Sequence, residues 1–142
     1  MLHPSEGTFS MNEQQNISTI QDMYAAFGRG DVDSIVSKLS PDVQWHSYLD
    51  PAVPWAGSFN TTKEVPNFFK AIYESVDVQS FDPGEFIANG DTVISIGTFG
   101  STAKSTGKST LVKWIFVWKF RDGKVTSYEQ FQDSKLAKAF VA

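Results

Sequence analysis

The chain of 142 residues contains no cysteine. That excludes disulfides, thiolate nucleophiles, iron–sulfur clusters and cysteine-held zinc. Its two histidines are too few for an all-histidine, three-ligand metal site. A basic surplus is also missing. Lys and Arg number 12 against 16 Asp and Glu, a net charge of −4, which is the wrong sign for a nucleic-acid footprint. Long apolar runs are absent as well. The longest, from Trp114 to Trp118, spans five residues, against the roughly 20 of a membrane helix. The N-terminus lacks the charged-then-apolar profile of a secretory signal. These absences lead us to expect a cytoplasmic protein with no membrane or nucleic-acid partner, no cofactor and no metal. On that reading the sequons at Asn16 and Asn60 are chance matches.

Aromatic residues are plentiful, at 14% of a chain that is 41% hydrophobic. That is enough for one proper core and too short for two domains. Residues 1–11, with His3, Pro4, Gly7 and Ser10 and no periodicity, read as a flexible tail. Residues 12–142 read as a single domain.

Ile17, Ile20, Tyr24 and Phe27 recur at helical spacing, and Gly28-Arg29-Gly30 ends that helix. Asp31 caps a second, short helix with Val32, Ile35, Val36 and Leu39 inward, and Ser40-Pro41 stops it. Asp42 to Tyr48 alternates as a strand. A loop with Pro51, Pro54 and Gly57 follows. A third helix carries Phe68, Phe69, Ile72, Tyr73 and Val76, and Thr61 and Glu64 stand at capping-box spacing at its start. Beyond Asp77 the period changes to two. Asn89-Gly90 and Asp122-Gly123 are hairpin turns that separate strands near 78–88, 92–103, 108–121 and 124–132. A short helix starts at Ser134. Helices gathered before a meander predict an α+β domain, its helices packed on one face of a curved sheet around a pocket.

Four segments invite a chemical reading. The stretch from Gly100 to Thr110 ends like a phosphate-binding loop, but the required first glycine is Thr102 and no helix follows, so it reads as a polar hairpin. On strand 108–121 the even positions Val112, Trp114, Phe116, Trp118 and Phe120 form one face. That face can be core, the wall of a cavity, or both. Ile115 and Val117 on the other face suggest a cover such as a partner subunit. Around His46, alternation separates Gln44, His46 and Tyr48 from Val43, Trp45 and Ser47, without saying which set faces inward. His46 is the one residue outside the tail that titrates near neutrality, fit to be a base or an exposed histidine. On the last strand Glu129 and Asp133 share a face with Phe131 and Val125, opposite Tyr128, Gln130 and Gln132. A carboxylate on an apolar face can hold a raised pKa, or be a rim ion pair in the case of Glu129 and a helix cap in the case of Asp133.

Three segments together resemble the nuclear transport factor 2-like superfamily, and within it the SnoaL-like polyketide cyclase and ketosteroid-isomerase-related group. They are IQDMYAAFGRGDVDSIVSKLSPDVQWH, PWAGSF, and VWKFRDGKVTSYEQFQD. The resemblance covers about residues 15–140. It implies an α+β fold with three N-terminal helices on the concave face of a cone-shaped, curved antiparallel sheet, paired as a homodimer through the sheet. It places His46 where the isomerases carry their base. Their tyrosine donor falls at Met23, beside Tyr24, and their second acid falls at Phe116. The residues of steroid isomerisation are therefore missing, and fold alone does not choose a reaction.

The reading that follows is a cofactor-free isomerase, cyclase or lyase for a hydrophobic carbonyl or polycyclic substrate. His46, Tyr48, Glu129 and Tyr24 would supply acid and base. Trp45, Trp55, Phe86, Trp114, Phe116, Trp118 and Phe131 would contact the ligand. The alternative is a non-catalytic module of the same fold that binds a hydrophobic ligand or dimerises.

Overall fold

The computed structural model describes residues 9–142. His3 and most of the expected tail lie outside the described residues. The last tail positions belong to a helix instead. Ser10 caps α1 (Met11–Arg29) through a full capping box with Glu13, and Gly30 closes the helix in the left-handed region at φ 71°. A short α2 (Val32–Val36) follows, with Asp31 accepting from the Ser34 N–H at 3.2 Å. It ends before Ser40-Pro41, and Leu39 already belongs to β1 (Leu39–Ser47). The loop after β1 contains a two-residue strand, β2 (Gly57–Ser58), which is too short to leave a periodic signal.

The start of α3 (Thr61–Ser75) departs from the expected capping box. Its cap is Asn60, and Thr61 sits at φ 68°. The Asn60 amide oxygen does not cap. It accepts from the Trp45 N–H at 3.1 Å instead, which ties the helix start to β1 next to the cavity wall.

β3 (Val76–Asn89), β4 (Thr92–Ala103), β5 (Ser109–Arg121) and β6 (Lys124–Gln132) form the expected meander, and α4 (Lys135–Lys138) follows. Asp122 and Gly123 both take positive φ, as the tightest hairpin turn demands. The sheet order is β2-β1-β6-β5-β4-β3. It is curved, open and mostly antiparallel. β1 runs parallel to β6.

Curvature has a local cause. Register shifts interrupt β3 between Val78 and Ser80 and between Pro83 and Glu85, and another falls between Lys119 and Phe120 in the β5–β6 pairing. Extra residues of this kind bend a strand and increase its twist. The last shift also corrects the face assignment on β6. Val125 is buried with Tyr128, not grouped with Glu129 and Phe131. The helices cover the concave face. Ile20, Met23, Ala26, Ile35, Phe68, Phe69 and Ile72 are buried there against Trp45, Trp114 and Trp118.

Candidate functional site

Strand alternation builds the site. On β5 the even positions Val112, Trp114, Phe116, Trp118 and Phe120 are all buried, and the odd ones are not. Cross-strand registration then places inward residues in rows. Trp118, Tyr128 and Trp45 share one row, and Ser95, Phe116, Gln130 and Ser47 share the next. Trp45 stacks on Tyr128 at 4.0 Å, and Trp114 on Phe116 at 4.0 Å. Trp114 lies over Gly97, where an added Cβ would come within 2.4 Å of the indole. The glycine makes room for the ring.

Between this wall and the helices is a cavity of about 60 Å³. Helix α1 contributes Met23, Tyr24 and Phe27 to its lining, and α3 contributes Phe68, Phe69 and Ile72. All four tryptophans of the chain, Trp45, Trp55, Trp114 and Trp118, line it.

The polar groups of the lining are few and neutral. Trp118 Nε1 donates to the Tyr24 hydroxyl at 3.2 Å, which leaves the Tyr24 O–H free to donate. Ser95 Oγ is buried near Tyr24 without a partner at full hydrogen-bonding geometry. On the opposite side Gln130 accepts from Tyr128 at 3.1 Å and from Ser47 at 3.3 Å, and its amide N–H donates to Gln132. One Gln130 N–H remains. Two further buried donors, Nε1 of Trp45 and Nε1 of Trp114, have no partner.

Desolvation pushes the Tyr24 phenol well above its ordinary value, with Ser95 and Trp118 pulling weakly the other way. Tyr128 is raised by burial and by the neighbouring Tyr24. Both phenols therefore stay protonated at neutral pH. Among the described residues, no carboxylate, histidine or lysine lines the cavity. Among the described residues no three His, Asp or Glu side chains gather as a metal site.

The expected site residues divide between the two faces of the sheet. Tyr24, Trp45, Trp55, Trp114, Phe116 and Trp118 line the cavity. Phe86 packs against Tyr24 at 6.2 Å, outside the lining. His46, Tyr48, Glu129 and Phe131 are on the convex face, because their strand neighbours Trp45, Ser47, Tyr128 and Gln130 point inward. There His46 Nδ1 pairs with Ser58 Oγ at 2.8 Å. The rings of His46, Tyr48 and Phe131 stack in sequence at 5.8 and 5.3 Å. A cavity base at His46 or Glu129 is thereby corrected. Among the described residues Glu129 has no ion-pair partner within 4 Å. Asp133 accepts from the Lys135 N–H at 2.9 Å, at the start of α4.

Sequence reasoning missed Ser47, Ser95, Gln130 and Gln132. The signal for Gln130 and Gln132 was the face they share with Tyr128, and for Ser47 the face it shares with Trp45; each needed only the decision that this face looks inward.

A family model described as a SnoaL-like domain matches residues 20–128. A search of curated proteins returns no match. Among solved structures, an NTF2-like protein from Burkholderia thailandensis is 29% identical, with a TM-score of 0.81, over 89% of this chain and 98% of that one. One from Burkholderia xenovorans is 28% identical, with a TM-score of 0.82, over 92% and 99%. TerC, co-crystallised with polyporic acid, is 26% identical, with a TM-score of 0.76, over 90% and 99%.

Proposed function

Because this chain belongs to the SnoaL-like domain family, we propose that it takes a flat, largely apolar small molecule carrying a carbonyl or hydroxyl group into the cone. One observation carries this reading. The cavity pairs an aromatic wall with a few neutral donors and acceptors, Tyr24, Tyr128, Gln130 and Gln132, with Ser95 buried behind the lining near Tyr24. Apolar walls supply affinity and a few placed polar groups supply orientation. A ligand oxygen would satisfy buried donors that otherwise lack partners, and an unmade buried hydrogen bond costs about 1–3 kcal/mol. The co-crystallisation of TerC with polyporic acid supports an organic ligand in this fold.

The test uses the tryptophans. All four line the cavity, so a bound ligand must perturb intrinsic fluorescence. Titration with a panel of naphthol, naphthoquinone and aliphatic ketone probes is expected to give saturable quenching by the flat ring compounds only. Quenching that never saturates for any probe would sink the reading.

A second reading is acid-assisted isomerase, cyclase or lyase chemistry, favoured by the two phenols that burial keeps protonated. A neutral donor aimed at a carbonyl stabilises the oxygen as it gains charge. In that case Tyr24→Phe lowers kcat on a confirmed substrate and leaves KM little changed.

The convex face supports a homodimer. Ile115 on β5 and Phe131 on β6 are exposed cross-strand partners, and the exposed Tyr48 ring stacks on Phe131, an apolar patch of the kind that marks an association site. Sedimentation should report a dimer for the native chain and a folded monomer for Ile115→Glu.

A further inference from the structure

The cavity is too small for the ligand just described. A hole of about 150 Å³ is what holds one benzene in a protein interior, and the space here is about 60 Å³. Something in the lining must move for a ring to enter. Most of the lining cannot move cheaply. Trp45, Trp55, Trp114 and Trp118 are almost wholly buried, and so are Ile35, Phe68 and Tyr128. The half-buried members are Tyr24, Phe27, Phe81 and Gln132.

Of these, Tyr24 is held by Trp118 and Gln132 by Gln130. Phe27 stacks on Tyr73 at 5.5 Å, and the Tyr73 hydroxyl donates to the Phe27 carbonyl at 2.7 Å. Phe81 is held by ring contacts alone, to Tyr24, Phe27, Trp114 and Phe116. It sits on β3, an edge strand paired on one side alone. Register shifts fall on either side of it, between Val78 and Ser80 and between Pro83 and Glu85. An edge strand with register shifts on both sides of a residue opens at lower cost there than a strand paired on both sides.

The pose of the Phe81 ring is informative. It lies nearly parallel to Trp114, at 5.1 Å and 9°, and to Phe116, at 6.3 Å and 18°. Trp114 and Phe116 are themselves parallel, at 10°. Phe81 thus lies parallel to the Trp114–Phe116 stack, in the orientation a planar ligand packed against Trp114 would adopt.

We propose that Phe81 is a built-in plug, the chain's own substitute for a flat ring ligand, which the ligand displaces and replaces on Trp114. This rests on the cavity being a ligand site. Removing one phenyl ring from a space of about 60 Å³ brings it into the range that accepts a benzene-sized ring. The plug therefore selects ligands that stack better than phenylalanine. Planar conjugated rings qualify, whereas saturated or branched molecules cannot repay the displacement.

The test is calorimetric titration of 1-naphthol, and of the saturated analogue decahydro-1-naphthol, into the native chain, Phe81→Ala, Phe81→Leu and Phe81→Trp. Thermal unfolding checks that each variant is folded. Phe81→Ala should bind 1-naphthol at least about tenfold more tightly than the native chain. Phe81→Leu, which keeps an apolar side chain that cannot stack flat, should fall between them and serves as the test if the alanine variant does not fold. Phe81→Trp should bind more weakly. The saturated analogue should show no binding to the native chain and only weak binding to Phe81→Ala, because both ligands meet the same displacement cost and only the ring that stacks on Trp114 offsets it. Equal affinity for 1-naphthol across all variants overturns the plug and leaves the ligand site standing. No binding by any folded variant removes the ligand site, and the plug with it.

Discussion

Trp114, Phe116 and Trp118 point into the cavity, while Ile115 and Val117 between them lie on the convex face. The same split runs through β1 and β6, where Trp45, Ser47, Tyr128 and Gln130 face inward and His46, Tyr48, Glu129 and Phe131 face outward. The concave region is rich in rings and poor in charge. The convex region holds the histidine and the carboxylate that looked like catalytic groups. A one-residue offset along a strand therefore separates the lining of the cavity from the convex face. Residues adjacent in sequence share no environment here.

Substitutions at neighbouring positions sharpen that contrast. The largest effect should come from Trp114→Ala, which empties a fully buried site. It should cost about 3–5 kcal/mol in denaturant unfolding. Ile115→Ala next to it should cost within about 0.5 kcal/mol when measured on the monomer. Equal costs would mean that both faces are core.

Gly97→Ala comes next. The new Cβ would approach both the Asp82 carbonyl and Trp114 to 2.4 Å, and overpacking of this kind costs about 1–3 kcal/mol. Unchanged stability would show that the indole is not pinned on the sheet.

Acid should act from outside the cavity. Hydrogen bonds from the Ser10 and Gly90 N–H groups hold the Glu13 carboxyl below its ordinary value of 4.5, and Asp31 is lowered by Ser34 and Arg29. A depressed folded-state pKa contributes stability that is present above the unfolded value and lost as pH falls through the folded one. The melting temperature should therefore decline as pH drops below about 4.5. Ligand affinity should stay flat between about pH 6 and 9, since the cavity groups, Tyr24 and Tyr128, do not titrate there. A sigmoidal change in affinity centred in that window would place an unrecognised ionisable group in the pocket.

The smallest effect is expected for His46→Ala. It removes a hydrogen bond to Ser58 on the convex face and should change ring-ligand affinity by less than about twofold. A large loss of affinity would break the separation of the two faces.

Much of the architecture was legible in the chain. Asp122-Gly123 marks its hairpin because both residues tolerate positive φ. The aromatic row of β5 follows from period-two alternation alone. The start of α3 was not legible, because Asn60 spends its side chain on Trp45, fifteen residues earlier in the chain. The place of Val125 on β6 was not legible either, since one extra residue, Thr126, resets the alternation between it and Tyr128.

The sequence by itself determined the element order, the turns, and which residues share a face within one unbroken strand. These depend on backbone sterics and on side-chain periods a few residues long. Only the tertiary structure decided which face looks inward. That choice is made by where the helices pack, so that Trp45 and Tyr128 are buried under α3 and His46 is left outside. The same packing gathered Tyr24, Tyr128 and Gln130 from α1 and β6 into one cavity. Hydrophobic burial is non-directional, so no local pattern could have named that meeting point.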